Sequence, residues 1–196
     1  EGRGVPVIIE MVMLTRLDCM LGSSGLMRMA LAQAIHHARH RRTFGKRLVE
    51  HALMRNVLAD LALEAEAALA LSLRVARAVD AAPRDRLEAA FARIATAVGK
   101  YWICKRAPQH ALEALECLGG NGYVEDWPMA RFYREAPLNG VWEGSGNVIC
   151  LDVLRALALS GEPDHSWDEM TLKTQQVLDA CLRSARSGGT IVDLSG

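Results

Sequence analysis

From Gly45 to Pro83 the chain contains no glycine or proline. Across that interval Met54, Val57, Leu58, Leu61, Ala65 and Ala68 recur at the helical period, and Leu69, Ser72, Val75, Ala76 and Val79 continue the stripe. A helix of about 30 residues is roughly 45 Å long. One short neighbour does not support such a rod, so the pattern predicts an antiparallel bundle. Alanine and leucine, the strongest helix formers, dominate the composition, and no stretch alternates like a strand. Residues 14–40 carry a second helical pattern after an extended start, Val5-Pro6-Val7-Ile8-Ile9. Gly22 and Gly25 interrupt it and suit close approach of a neighbouring backbone. A third segment spans 84–118, with Pro108 predicted to kink it and Gly119-Gly120-Asn121-Gly122 to stop it. A last bundle helix covers 147–160, with Ser145 or Asn147 as N-cap. The expected fold is all-α, an antiparallel up-and-down four-helix bundle over residues 1–160. Residues 161–196 read as a polar tail with one short helix around 167–186.

Charge and cysteine content exclude several functions. The chain has 196 residues, 51% of them hydrophobic, with 23 Lys and Arg against 23 Asp and Glu. So much apolar surface excludes a disordered chain, and zero net charge argues against a bare electrostatic nucleic-acid binder. No apolar run reaches the roughly 18 residues of a membrane span. Cys19, Cys104, Cys117, Cys150 and Cys181 are odd in number and form no C-x-x-C pair. Reduced thiols in a cytoplasmic or other intracellular protein are expected. The start, Glu1-Gly2-Arg3-Gly4, lacks an initiator Met and any targeting character, and reads as a fragment or a processed form.

Four stretches exceed what a plain bundle needs, one of them Tyr133-Arg134-Glu135-Ala136-Pro137. His36 to Arg47 crowds five Lys or Arg and three His onto a helix end without an acid. It is either a solvated basic turn favoured by the helix dipole or an anion site using arginine for phosphate. There Phe44 stands ready to pack on a flat ligand. Glu116-Cys117-Leu118-Gly119-Gly120-Asn121-Gly122-Tyr123 is either a helix C-cap or a turn admitting something flat or anionic. In Val141-Trp142-Glu143-Gly144-Ser145-Gly146-Asn147 a carboxylate lies between an indole and a glycine. It is either an acid at a helix N-terminus or a desolvated general base. His36 and His40 have zinc-pair spacing but no supporting Glu or Cys, so no metal is expected.

In order, Arg41-x-x-Phe44-Gly45, Glu116-x-x-Gly119-Gly120-Asn121-Gly122-Tyr123 and Trp142-Glu143-Gly144-Ser145 resemble the C-terminal helical domain of the acyl-CoA dehydrogenase family. The family forms are R-x-x-F-G, Q-x-x-G-G-x-G-[YF] and [YW]-E-G-[TS]. The similarity covers roughly residues 7–160. Met13-Leu14-Thr15-Arg16-Leu17-Asp18-Cys19, the glycine turn, and Trp142 through Asn147 with Cys150 through Arg155 are most similar to the AidB-like, adaptive-response branch.

The resemblance implies an FAD-dependent oxidoreductase acting on CH–CH donors, which converts an acyl-CoA thioester to its trans-2-enoyl form in fatty acid metabolism. Glu143 falls at the family's catalytic base. By the same pattern Arg41, Thr43 and Phe44, with Leu48, His51 and Met54, meet the pyrophosphate and flavin region of a neighbouring subunit's FAD. Glu116, Cys117 and Gly120 meet its adenosine side. Ser145 and Asn147 contact FAD in the chain's own site, and Arg16 and Gly144 lie on the substrate side. Glu116 replaces the usual Gln, a change that the AidB-like branch shares. The resemblance also implies a homodimer or homotetramer, a mitochondrial or peroxisomal address if the source is eukaryotic, and an electron acceptor left open. The chain begins near the junction with the family's middle β-domain, so the fragment alone is expected to bind FAD weakly and to be inactive. Two alternatives are an AidB-like protector of DNA against alkylation and a non-catalytic oligomerisation module. The stretch 161–196 sets Lys173, Arg183 and Arg186 against six acids, an arrangement unsuited to holding DNA.

Overall fold

A computed structural model describes residues 4–159. The described residues through Leu154 form one compact unit, and a second begins at Arg155. The expected tail helix around 167–186 lies outside the described residues. Three long helices build the unit: α1 (Gly4–His40), α2 (Ala52–Ala81) and α3 (Arg86–Cys117). Short helices α4 (Gly120–Tyr123), α5 (Met129–Glu135) and α6 (Leu138–Val141) lead to α7 (Gly146–Leu159). The all-α fold is as expected, and α2 has the 30 residues that its unbroken stripe predicts.

Side-chain pairings fix the helix directions. Ser24 meets Ser72 and Arg28 meets Glu66, so α1 and α2 run antiparallel. His110 reaches Leu61 and Arg106 reaches Glu64, so α2 and α3 do the same. The seams are built largely from alanine, with Ala30, Ala34, Ala38, Ala68, Ala107 and Ala111 fully buried. Small side chains let the helix axes approach closely. Asp85 caps α3 by accepting from the backbone N–H groups of Leu87 and Glu88. Helix α3 runs through Pro108, whose missing N–H leaves the Cys104 carbonyl without its usual donor. A Cβ on Gly140 would lie 3.5 Å from that oxygen.

Three local expectations are corrected. Val5 to Ile9 is helical, not extended; Pro6 falls in the first turn, where no intrahelical N–H is required. Gly25 faces open space, and Gly22 lies near the Asn139 side chain, not a backbone. The basic stretch is not one helix end. Helix α1 stops at His40, and a small antiparallel pair follows, β1 (Arg42–Thr43) with β2 (Lys46–Arg47). Phe44 and Gly45 turn it with φ of 51° and 80°, the two-residue geometry whose twist suits a hairpin.

Candidate active site and cofactor cleft

The α6–α7 connection places Glu143. Its φ is 58°, and Phe44 is the other non-glycine residue with positive φ among the described residues. Both belong to the motifs singled out above. A side-chain-bearing residue stays in this region only when its surroundings over-determine it. Two buried cations do so here. Lys100 on α3 donates from Nζ to the carbonyls of Trp142 and Gly144, at 2.7 Å each. Arg16 on α1 donates from Nε to the carbonyl of Glu143 itself at 2.9 Å. Three consecutive carbonyls are therefore gripped from two helices. Gly144 continues the turn at φ 100°, where a Cβ would meet the Arg16 guanidinium at 3.3 Å. A Cβ on Gly146 would meet the Tyr101 ring at 2.8 Å, so α7 starts hard against α3.

Asp152 on α7 anchors the clamp. Its Oδ2 accepts from Arg16 at 2.7 Å and its Oδ1 from Arg93 at 2.7 Å. Burial pushes this carboxyl upward, but the hydrogen bonds and charges of Arg93 and Arg16 outweigh it and hold the group below its ordinary value. Burial pushes the Lys100 ammonium below its usual value; nearby Cys104, Cys19 and Glu143 act in the opposite sense. A polar chain backs the turn from the other side. Trp142 Nε1 donates to Asn139, Asn139 donates to Ser23, and Ser23 contacts the Cys104 thiol. Glu143 itself is half-buried, while Ser145 and Asn147 face solvent beside it.

At the far end of α1, a cleft of about 400 Å³ brings together seven of the predicted cofactor residues. They are Arg41, Thr43, Leu48 and Met54 on one side and Glu116, Cys117 and Gly120 on the other, joined by His37 and Gly119. His51 Nε2 lies 3.2 Å from the Thr43 carbonyl and ties the hairpin to the start of α2. Phe44 does not line the cleft; it stands at the hairpin tip, 95% exposed. Burial, then Arg41 and His36, lowers the His37 pKa. Gly119 has φ 59°, and a Cβ on Gly119 or Gly120 would meet nothing within 4 Å, so the cleft floor is open. Arg16 and Arg41 are 25 residues apart on or just beyond one helix, roughly 37 Å. The Glu143 turn and this cleft are separate places on one chain.

Sequence reasoning missed Lys100, Arg93 and Asp152. Lys100 carried a signal, because it occupies the buried stripe of α3 with Thr96, Ala97, Ile103 and Cys104.

The domain described as "Acyl-CoA dehydrogenase, C-terminal domain" matches residues 2–158. Over 157 residues the chain is 49% identical to "Putative acyl-CoA dehydrogenase AidB" of Escherichia coli K12, covering 80% of this chain and 29% of that protein. The crystal structure of Caenorhabditis elegans ACDH-11 in complex with C11-CoA superposes with a TM-score of 0.81 at 29% identity, covering 94% of this chain and 31% of that one. Butyryl-CoA dehydrogenase from Megasphaera elsdenii superposes with a TM-score of 0.72 at 27% identity, covering 80% of this chain and 40% of that one. The chain thus spans well under half the length of these relatives.

Proposed function

The chain belongs to the acyl-CoA dehydrogenase C-terminal domain family, and from that premise we propose that it is the proton-abstracting and subunit-pairing part of an FAD-dependent acyl-CoA dehydrogenase. The observation that carries the proposal is the Glu143 turn. A half-buried carboxylate is held in a rarely populated backbone conformation by two buried cations on its own and flanking carbonyls. Such over-determined strain belongs to sites where geometry matters. In this reading the Glu143 carboxylate accepts the α-proton of the thioester. Arg16, bound to the Glu143 carbonyl and to Asp152, supports the base on the substrate side. Ser145 and Asn147, exposed at the start of α7, face the chain's own FAD.

The cleft residues suit FAD. Arg41 and Thr43 offer a guanidinium and a hydroxyl for the pyrophosphate. Leu48, Met54 and Leu118 offer apolar wall, and the open glycine floor admits a flat group. The exposed Glu116 carboxylate accepts hydrogen bonds from the adenosine side. When bound, FAD supplies the acceptor for the β-hydride. The separation of roughly 37 Å along α1 supports cleft residues that serve a partner subunit's FAD. Exposed Val7, Ile8, Met11 and Leu14 on α1 and Val148 and Leu151 on α7 support a homodimer or larger homo-oligomer.

The test uses the full-length protein with bound FAD, assayed by dye reduction over an acyl-CoA series. Glu143→Gln lowers kcat by about 100- to 10,000-fold with FAD retained; unchanged turnover overturns the reading. Arg41→Ala lowers FAD content in the oligomer. The resemblance to the AidB-like branch implies a second reading, DNA protection by the whole protein. Salt-sensitive gel shifts with duplex DNA support it, and their absence at low salt removes it.

A further inference from the structure

We infer that Lys100 is a positioning residue for the Glu143 carboxylate, its ammonium locking the 142–144 turn in the one backbone conformation that presents the base. The inference rests on the base reading above. Lys100 is 1% exposed, and both its hydrogen-bond partners are carbonyls, those of Trp142 and Gly144. These residues flank Glu143, so a single cation spans the strained position from both sides. Two successive left-handed residues, at φ 58° and 100°, turn the carbonyls on either side of Glu143 toward one point, and Nζ occupies that point.

Arg16 alone does not replace this grip. Its Nε bonds the Glu143 carbonyl alone, and its Nη1 is held by Asp152, so neither bond reaches the carbonyls of Trp142 or Gly144. Without Lys100 the Trp142 and Gly144 carbonyls lose their shared donor. The turn is then free to relax toward ordinary backbone angles, and the carboxylate moves with it. A misplacement near 1 Å costs a reaction about 100-fold. The expected signature is therefore a loss of kcat with little change in KM, because the Lys100 ammonium is spent on carbonyls of its own chain.

The experiment compares Lys100→Met with wild type in the FAD-loaded full-length protein. Two readouts are taken: turnover per bound flavin, and amide hydrogen exchange followed by mass spectrometry. The expected result is a kcat per flavin lowered about 10- to 100-fold, KM within about threefold, and faster exchange confined to residues 142–146. Core amides of α2 keep their protection. The inference is overturned if residues 142–146 exchange as in wild type, or if protection falls equally throughout the bundle. Should Lys100→Met fail to fold, Lys100→Gln, shorter and uncharged, carries the same exchange readout. If Glu143→Gln turns over normally, the base reading fails, while exchange at 142–146 still decides whether Lys100 holds the turn.

Discussion

Asp152→Asn isolates the anchor of the Glu143 turn. The carboxylate sits between Arg16, whose side chain is 8% exposed, and Arg93, which is 40% exposed; Asp152 itself is 23% exposed. Removing one partner of a fully buried ion pair costs about 3–5 kcal/mol, because the other charge is left uncompensated. Arg93 is solvated enough to lose little. Arg16 carries most of the penalty, and partial exposure of the carboxylate lowers the expected cost to about 2–3 kcal/mol. In a domain of this size that is a fall in Tm of roughly 4–12 °C. The pH dependence adds a second check. Asp152 has a folded pKa below its ordinary 3.8, so its contribution is full above that value and is lost as pH falls through the folded pKa. Melting curves of wild type and Asp152→Asn should therefore differ at pH 7 and converge below about pH 3.8. A Tm difference under about 2 °C at pH 7, or a gap that stays constant into acid, refutes the reasoning.

Further outcomes follow from single contacts. Gly144→Ala forces a Cβ into a φ of 100° and against Arg16; thermal melts should show a loss of about 1–3 kcal/mol. Asp85→Ala removes the α3 cap and should cost about 1 kcal/mol in urea titrations. Burial, with Glu113 and Glu116 nearby, raises the Cys117 thiol to about 11. Exposed Cys150 should therefore alkylate at pH 8 while Cys117, Cys19 and Cys104 stay unlabelled until denaturant is added, as read by peptide mass spectrometry.

The parts of the molecule that repeat at short range were legible in the sequence. The α2 stripe predicted its length and its buried face, since Leu58, Leu61, Ala65, Ala68, Ser72 and Val75 are all buried. The Arg41 and glycine-turn motifs, 75 positions apart, meet in one cleft. The hairpin at 42–47 was hidden because its turn uses Phe44, a residue that sterics disfavour at positive φ. Val5 to Ile9 misled because β-branched residues favour strands on average, while the rest of α1 draws this segment into a helix. The clamp was the least legible part. Asp152 is 136 positions from Arg16 and 59 from Arg93, and no local pattern encodes a pairing made by packing helices together. Lys100 alone gave notice, as a cation on an apolar stripe.

A structure of the full-length protein with FAD and an acyl-CoA bound tests the central claim most directly. The account predicts a Glu143 carboxylate oxygen about 3–3.5 Å from the thioester α-carbon, with Lys100 and Arg16 still on the carbonyls of residues 142–144. A Glu143 side chain turned to bulk solvent, with another group at the α-carbon, contradicts it.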